Sequence, residues 1–188
     1  MVVCAVDVGL QVNGYVICET KNAEIKLIKE GEIKTSKKHI FSQKLKFIYE
    51  ELEKEIKEYR PQALALEKLY SHYKHPLTLG ILAQVRGVVV VLAEQKGLEI
   101  FEYSPTRARK AFLGKGSADS FRVKRMAENI TGKSFISNHT ADAFSLVVAF
   151  SHEEKVRSLM LSATKQNPAL ARRKLTGAWM KKRDRIIQ

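Results

Sequence analysis

The chain is short of the residues that mark disulfide-stapled, fibrous and low-complexity proteins. It carries two cysteines, four prolines, ten glycines and one tryptophan in 188 residues. Two cysteines cannot build the disulfide framework that staples small secreted domains. Cys4 and Cys18 both sit in apolar, strand-like runs, so we expect buried thiols in a reducing compartment; a single disulfide between them is the less favoured alternative. No internal repeat or low-complexity segment interrupts the chain. Apolar runs such as 88–93 are too short to span a bilayer, and the sequence opens directly on a strand pattern without a signal peptide. The expectation is a cytoplasmic protein with no membrane role. Acid is also scarce: 20 Asp and Glu face 33 Lys and Arg, for a formal charge of +13. An anionic partner follows, with nucleic acid first and an acidic membrane surface second.

What is present suffices for a sizeable core. Hydrophobic residues make up 45% of the chain. The length fits one domain, or one domain plus an appendage. The charge is uneven, because residues 155–188 hold ten Lys or Arg against one acid, Asp184. We therefore read a body over residues 1–154 and a basic extension over 155–188, either helical or flexible.

Along the body, Val2 to Val6 is a continuous β-favouring run that ends at Asp7-Val8-Gly9. A second strand starts at Gly14, and a third covers 23–28, with Glu30-Gly31 as a turn. The short links predict an antiparallel meander. Residues 37–59 read as an amphipathic helix through Ile40, Phe41, Leu45, Ile48, Leu52 and Ile56, stopped by Pro61. Ala63 to Leu66 is a buried strand that ends on Glu67. Reached through a helix, it should lie parallel to an earlier strand. Residues 76–96 form a very apolar helix, either deeply buried or part of a dimer interface, and Gly97 ends it. A fifth strand spans 98–103, Ser104-Pro105 starts a helix, and 114–116 is a loop. Residues 118–131 are helical, and Asn138 reads as the N-cap of a last helix over 139–152. The order β-β-β-α-β-α-β-α-α predicts an α/β fold, a five-stranded mixed sheet flanked by helices.

Four residues carry the chemistry in this pattern. If the first and fourth strands are parallel neighbours, Asp7 and Glu67 end side by side, where ligands bind in such sheets. Two adjacent carboxylates repel unless a cation or a proton neutralises them. Oxygen donors of this kind suit Mg²⁺ or Mn²⁺. His139 and Asp142 stand three residues apart, hence on one helix face, and His139 can ligate a metal or shuttle a proton. Singly, each has an ordinary alternative: an Asp before Gly is a common turn residue, and a first-turn Asp favours the helix dipole. Jointly they fit a two-metal site for phosphodiester hydrolysis.

The same residues carry a family resemblance. Asp7 to Tyr15 shows the spacing D-x-G-x-x-x-x-G-Y. Leu64-Ala65-Leu66-Glu67-Lys68-Leu69-Tyr70, Arg86-Gly87-Val88, Phe101-Glu102-Tyr103, Gly114-Lys115-Gly116-Ser117-Ala118 and His139-Thr140-Ala141-Asp142-Ala143 follow in order. Together, over residues 2–152, they resemble the RuvC-type Holliday-junction resolvases of the RNase H-like superfamily. The resemblance implies that Asp7, Glu67, His139 and Asp142 are the metal-binding catalytic set, holding two Mg²⁺ ions with Mn²⁺ as a substitute. It implies four-way junction DNA as substrate, a homodimer and a branch-migration motor as a possible partner. It places Tyr70 where family members stack an aromatic on bases near the crossover. Arg109 holds a place where the family directs a cation at phosphate. Ser120 stands where some members have lysine, so phosphate contact passes to Lys115, Arg122 or Lys124.

The segment Tyr70-Ser71-His72-Tyr73-Lys74-His75 mixes aromatic and basic residues beside the proposed site. It reads as a junction-binding loop with Tyr70 or Tyr73 stacking and Lys74 on phosphate, against the plain alternative of a surface loop with a buried tyrosine. Arg107, Arg109 and Lys110 form either a solvated face or a phosphate contact. Trp179 in the extension can anchor a helix on the body, stack on nucleic acid or touch a membrane. The rival functions are a nuclease of the same superfamily acting on RNA or another branched substrate, and a basic binding module without activity.

Overall fold

The structure is a computed structural model, and it describes residues 1–69, 76–117 and 119–166. Among these the elements run β1 (Val2–Asp7), β2 (Val12–Lys21), β3 (Glu24–Lys34), α1 (Phe41–Tyr59), β4 (Ala63–Glu67), α2 (Pro76–Gln95), β5 (Glu99–Tyr103), α3 (Pro105–Leu113), α4 (Ser120–Thr131) and α5 (Asn138–Gln166). The chain divides into two compact units, Met1–His152 and Glu153–Gln188; in the second, the described residues continue α5.

The five strands form one sheet in the order β3-β2-β1-β4-β5. β1 and β2 pair antiparallel, as do β2 and β3, while β4 lies parallel to both β1 and β5. This is the expected meander followed by parallel crossovers. Strand side chains alternate between faces, and β1 divides its core residues accordingly. Val3 and Ala5 join a cluster with Phe112, Val123 and Phe144 of α3, α4 and α5. Cys4 and Val6 join the opposite cluster with Ile48 and Leu52 of α1 and Val85 and Val89 of α2. Both thiols are free and buried, and they belong to different clusters, Cys4 on the α1–α2 face and Cys18 on the α5 face. The sheet therefore separates them, which rules out the disulfide alternative.

Several boundaries differ from the sequence expectation: β2 begins two residues early, at Val12, and α4 begins at Ser120 because Asp119 caps it, against the expected residue 118. β3 runs straight through Gly31 instead of turning at Glu30-Gly31. Gly31 pairs with Tyr15, and a Cβ at Gly31 would collide with the Tyr15 ring. This glycine makes room for a neighbouring aromatic rather than a turn. α1 begins at Phe41, four residues later than residue 37, and Ile40 is its exposed N-cap. Its backbone N–H donates to Gln43, so local hydrogen bonding overrides the apolar spacing. The cap of α5 is Ser137, not Asn138. Ser137 and Thr140 exchange reciprocal backbone-to-hydroxyl bonds at 3.3 Å, a capping box. α5 also continues past residue 152 to Gln166.

α2 as a whole is long and apolar enough by composition to cross a membrane, although its uninterrupted apolar run is short. In this fold Val85, Val89, Leu92 and Ala93 are instead packed against the sheet and α1. Arg86 pairs with Glu102 of β5 at its midpoint. The helix is neither wholly buried nor wholly exposed: Val91 is 54% and Leu77 84% accessible.

Candidate active site

The alternation of the two central strands aims both strand-end acids at α5. Val3 and Ala5 of β1 face that helix, so Asp7, two positions on, shares their side. Ala63 and Ala65 do the same for Glu67 on β4. The β1–β4 register aligns Val6 with Leu66, so Asp7 and Glu67 continue it as neighbours at the carboxyl ends.

Asp7 opens a tight turn. Gly9 donates its N–H to Asn13 Oδ1 at 3.1 Å, and a Cβ at Gly9 would run into the Val12 carbonyl. Gly14, paired with Asp7 across the sheet, has a different task. A Cβ there would overlap the His139 carbonyl and the Thr140 nitrogen. The absence of a side chain on β2 lets the first turn of α5 rest directly on the sheet. That approach brings His139 Nδ1 to 2.7 Å from Asp7 Oδ2. Asp142, one turn on, accepts from Ser120 Oγ at 2.9 Å, with Arg109 Nη2 3.8 Å from its other oxygen.

The electrostatics follow from this crowding. Burial pushes the Glu67 carboxyl up to about 7, and the charges of Asp7 and Asp142 push the same way, while Arg109 opposes them. Burial likewise raises Asp142, and the Ser120 hydrogen bond opposes the rise. The hydrogen bond to Asp7 raises His139, helped by the charges of Asp7, Glu32 and Asp142. The contact with Asp7 thus favours the charged ring over the neutral one. Three carboxylates and an imidazole that feel one another are a donor set suited to a divalent cation, which would relieve their repulsion. Among the described residues no three of these groups already surround one point at ligand distance, because His139 holds Asp7 and Ser120 holds Asp142.

The basic residues expected to meet DNA fall into distinct environments. Arg109 is half-buried and faces the acids. Arg107 lies with its guanidinium 5.5 Å from the centre of the Tyr103 ring, and Lys110 is exposed. Arg107 and Lys110, three residues apart, share a face of α3, while Arg109 between them turns toward the acids. Lys115 is exposed in the loop after α3. Arg122 is exposed beside Asp119, whose side chain caps α4, and Lys124 is half-buried on α4. Tyr70, Tyr73 and Lys74 lie outside the described residues, as does Trp179.

Two site residues escaped the sequence reading. Ser120 was noted only as a missing lysine, yet its hydroxyl holds Asp142. Glu32 was passed over beyond a supposed turn. Its carboxyl is held below the usual range, first by its hydrogen bond to Lys34 and next by one to Ser137, the cap of α5. An unbroken alternation across Gly31 would have revealed it.

A family model described as "Crossover junction endodeoxyribonuclease RuvC" matches residues 3–152. The RuvC of Brachyspira hyodysenteriae is 30% identical over 156 residues, 83% of this chain and 97% of its own. That of Caldicellulosiruptor saccharolyticus is 34% identical over 155 residues, 81% of this chain and 92% of its own. Among solved structures, T. thermophilus RuvC in complex with a Holliday junction substrate superimposes with a TM-score of 0.76 at 23% identity, over 83% of this chain and 96% of that one.

Proposed function

The chain belongs to the RuvC family of crossover junction endodeoxyribonucleases, and on that premise we propose that it resolves four-way DNA junctions by paired, symmetric nicks. The observation that carries this reading is the meeting of Asp7, Glu67, His139 and Asp142, from three elements, at the carboxyl ends of the central parallel strands. Nucleases of this family are metal-dependent. Asp7, Glu67 and Asp142 would hold two Mg²⁺ ions, or Mn²⁺ in their place, with His139 at the edge of the set. Bound there, the metal supplies an activated water and neutralises charge on the scissile phosphate.

The chain's own groups do the rest. Glu67, raised by burial, retains a proton near neutrality and gives it up when a cation displaces it. His139, which its contact with Asp7 biases toward the charged form, can pass a proton toward the departing 3′ oxygen once that contact is broken. This makes it a proton carrier as well as a candidate ligand. Arg109, Lys110, Lys115, Arg122 and Lys124 line the route for phosphates, with Arg107 beside them. Tyr70, Tyr73 and Lys74 would meet the bases and backbone near the crossover. Products would carry 5′-phosphate and 3′-hydroxyl ends. A homodimer with α2 in its interface would set two such sites on strands of like polarity, and its exposed Leu77 and Val91 support that placement. A branch-migration motor would move the junction to the site, in the cytoplasm. Residues 1–154 would form the nuclease domain, with 155–188 as a basic arm.

The test is incubation of the protein with a synthetic mobile junction and Mg²⁺, followed by nick mapping. Symmetric nicks in two strands are expected, with fork, duplex and RNA–DNA hybrid left intact. Cleavage of the hybrid alone would favour an RNA substrate. Salt-sensitive binding without nicking would reduce the protein to a binding module.

A further inference from the structure

Asp142 is engaged from two other helices. Arg109 Nη2, on α3, lies 3.4 Å from Ser120 Oγ at the start of α4. The Ser120 hydroxyl in turn donates a hydrogen bond to Asp142 Oδ2 at 2.9 Å. A hydroxyl can accept from a guanidinium and donate to a carboxylate at once, so the three groups form a consistent chain. The guanidinium also stands 3.8 Å from Asp142 Oδ1, and the paired side chains are 30% and 17% exposed. A guanidinium does not lose its proton. A fixed positive charge therefore stands beside the carboxylate a divalent cation would use, and the two like charges would repel.

We propose that Arg109 is the internal counter-cation of the acid cluster, and that it leaves Asp142 when a divalent ion binds and becomes free for a DNA phosphate only then. This rests on the reading of Asp7, Glu67 and Asp142 as the metal site. Ser120 makes the arrangement workable: its hydroxyl tethers Arg109 to Asp142 through a neutral link, beside a direct contact between the charges that is long at 3.8 Å. Coupling of this kind is reciprocal. A junction phosphate that draws Arg109 away strips the cluster of its counter-cation and so raises its affinity for the metal. Metal and junction thus bind cooperatively, and the nuclease stays under-loaded away from its substrate.

The experiment is a Mn²⁺ titration without DNA, with free ion read by electron paramagnetic resonance, on the full chain and on Asp7→Asn, Arg109→Gln and Ser120→Ala. Asp7→Asn reports on the site itself: if it binds Mn²⁺ like the unaltered chain, the metal-site reading fails and the inference falls with it. If Asp7→Asn is impaired, Arg109→Gln decides. About fivefold tighter binding is expected, the upper range for a partly exposed ion pair; equal or weaker binding overturns the inference. Should Arg109→Gln not fold, Ser120→Ala, which cuts the hydroxyl link and keeps both charges, is expected to tighten binding about twofold, and weaker or unchanged binding overturns it. A second readout is junction affinity. Arg109→Gln should weaken binding with Ca²⁺ present and leave it unchanged in a chelator, whereas equal loss under both conditions contradicts the release.

Discussion

The two faces of the sheet are built from the same strands and do opposite work. On the α1–α2 face, Ile48, Leu52, Ile56, Val89 and Leu92 fill the space with branched aliphatic bulk. On the α5 face the strands offer Ala5, Ala63, Ala65 and the bare Cα of Gly14, and α5 answers with Ala141 and Ala143. Small residues let a helix approach closely, and the approach carries His139 and Asp142 to the strand-end acids. The helices of the first face lend stability; the close approach on the second makes the site. Chemistry appears where small residues at the sheet end of α5 let polar groups from three elements come together, beside a face otherwise filled by aromatics such as Phe112, Phe144 and Phe150.

This contrast can be broken most severely by removing the central charge. Asp7→Asn should cut junction cleavage by about a thousandfold or more while junction binding survives, since metal sites of this type supply several kcal/mol to the transition state. Retained cleavage would remove Asp7 from the site. Next comes the approach itself. Gly14→Ala should lower cleavage about a hundredfold by pushing the α5 turn off the sheet, the scale expected of a misplacement near 1 Å. Its counterpart on the other face, Leu52→Ala, should cost about 2–5 kcal/mol of stability. That variant should leave the activity of the folded fraction unchanged, as thermal melts and cleavage rates on one sample would show.

The pH dependence sharpens the comparison further. Glu67 is raised to about 7. In the metal-free protein it binds a proton more tightly than in the unfolded chain, so its contribution favours folding below the ordinary carboxylate range and fades as pH rises through about 7. Metal must displace that proton. Affinity for Mn²⁺ should therefore fall by about tenfold per unit below pH 7, the slope of one released proton. The titratable core residues of the α1–α2 face, Cys4 and Tyr15, are pushed upward by burial, away from neutrality, so Leu52→Ala should keep this profile. A flat profile in the unaltered chain would show that Glu67 is already ionised. The smallest effect belongs to the outer surface: Arg122→Ala should weaken junction binding only a few-fold and reduce the log–log salt slope by about one.

Much of this was legible before any coordinates. The elements, their order and the pairing of β1 with β4 followed from apolar periodicity and link length, and so did the placement of Asp7 beside Glu67. What misled was local and physical. Gly31 looked like a turn because glycine usually serves turns, whereas the Tyr15 ring needed the space. Ile40 looked like a core residue because spacing cannot distinguish a cap from a first turn. Asn138 and Ser137 are both good caps, and only the reciprocal bond with Thr140 selects Ser137. Arg107 and Lys110 do share a face, three residues apart, but Arg109 between them turns to Asp142, which adjacency in sequence could not show.

The amino-acid order alone determined the sheet, its two apolar faces and the acids at the strand ends, because alternation and helical spacing are periodic signals carried within single elements. Tertiary structure alone decided which groups touch. That Gly14 admits the His139 backbone, that Ser120 reaches Asp142 and that Arg109 faces the acids rather than solvent depend on how separate elements approach. Such distances are set by packing between segments far apart in the chain, and no spacing within a segment records them.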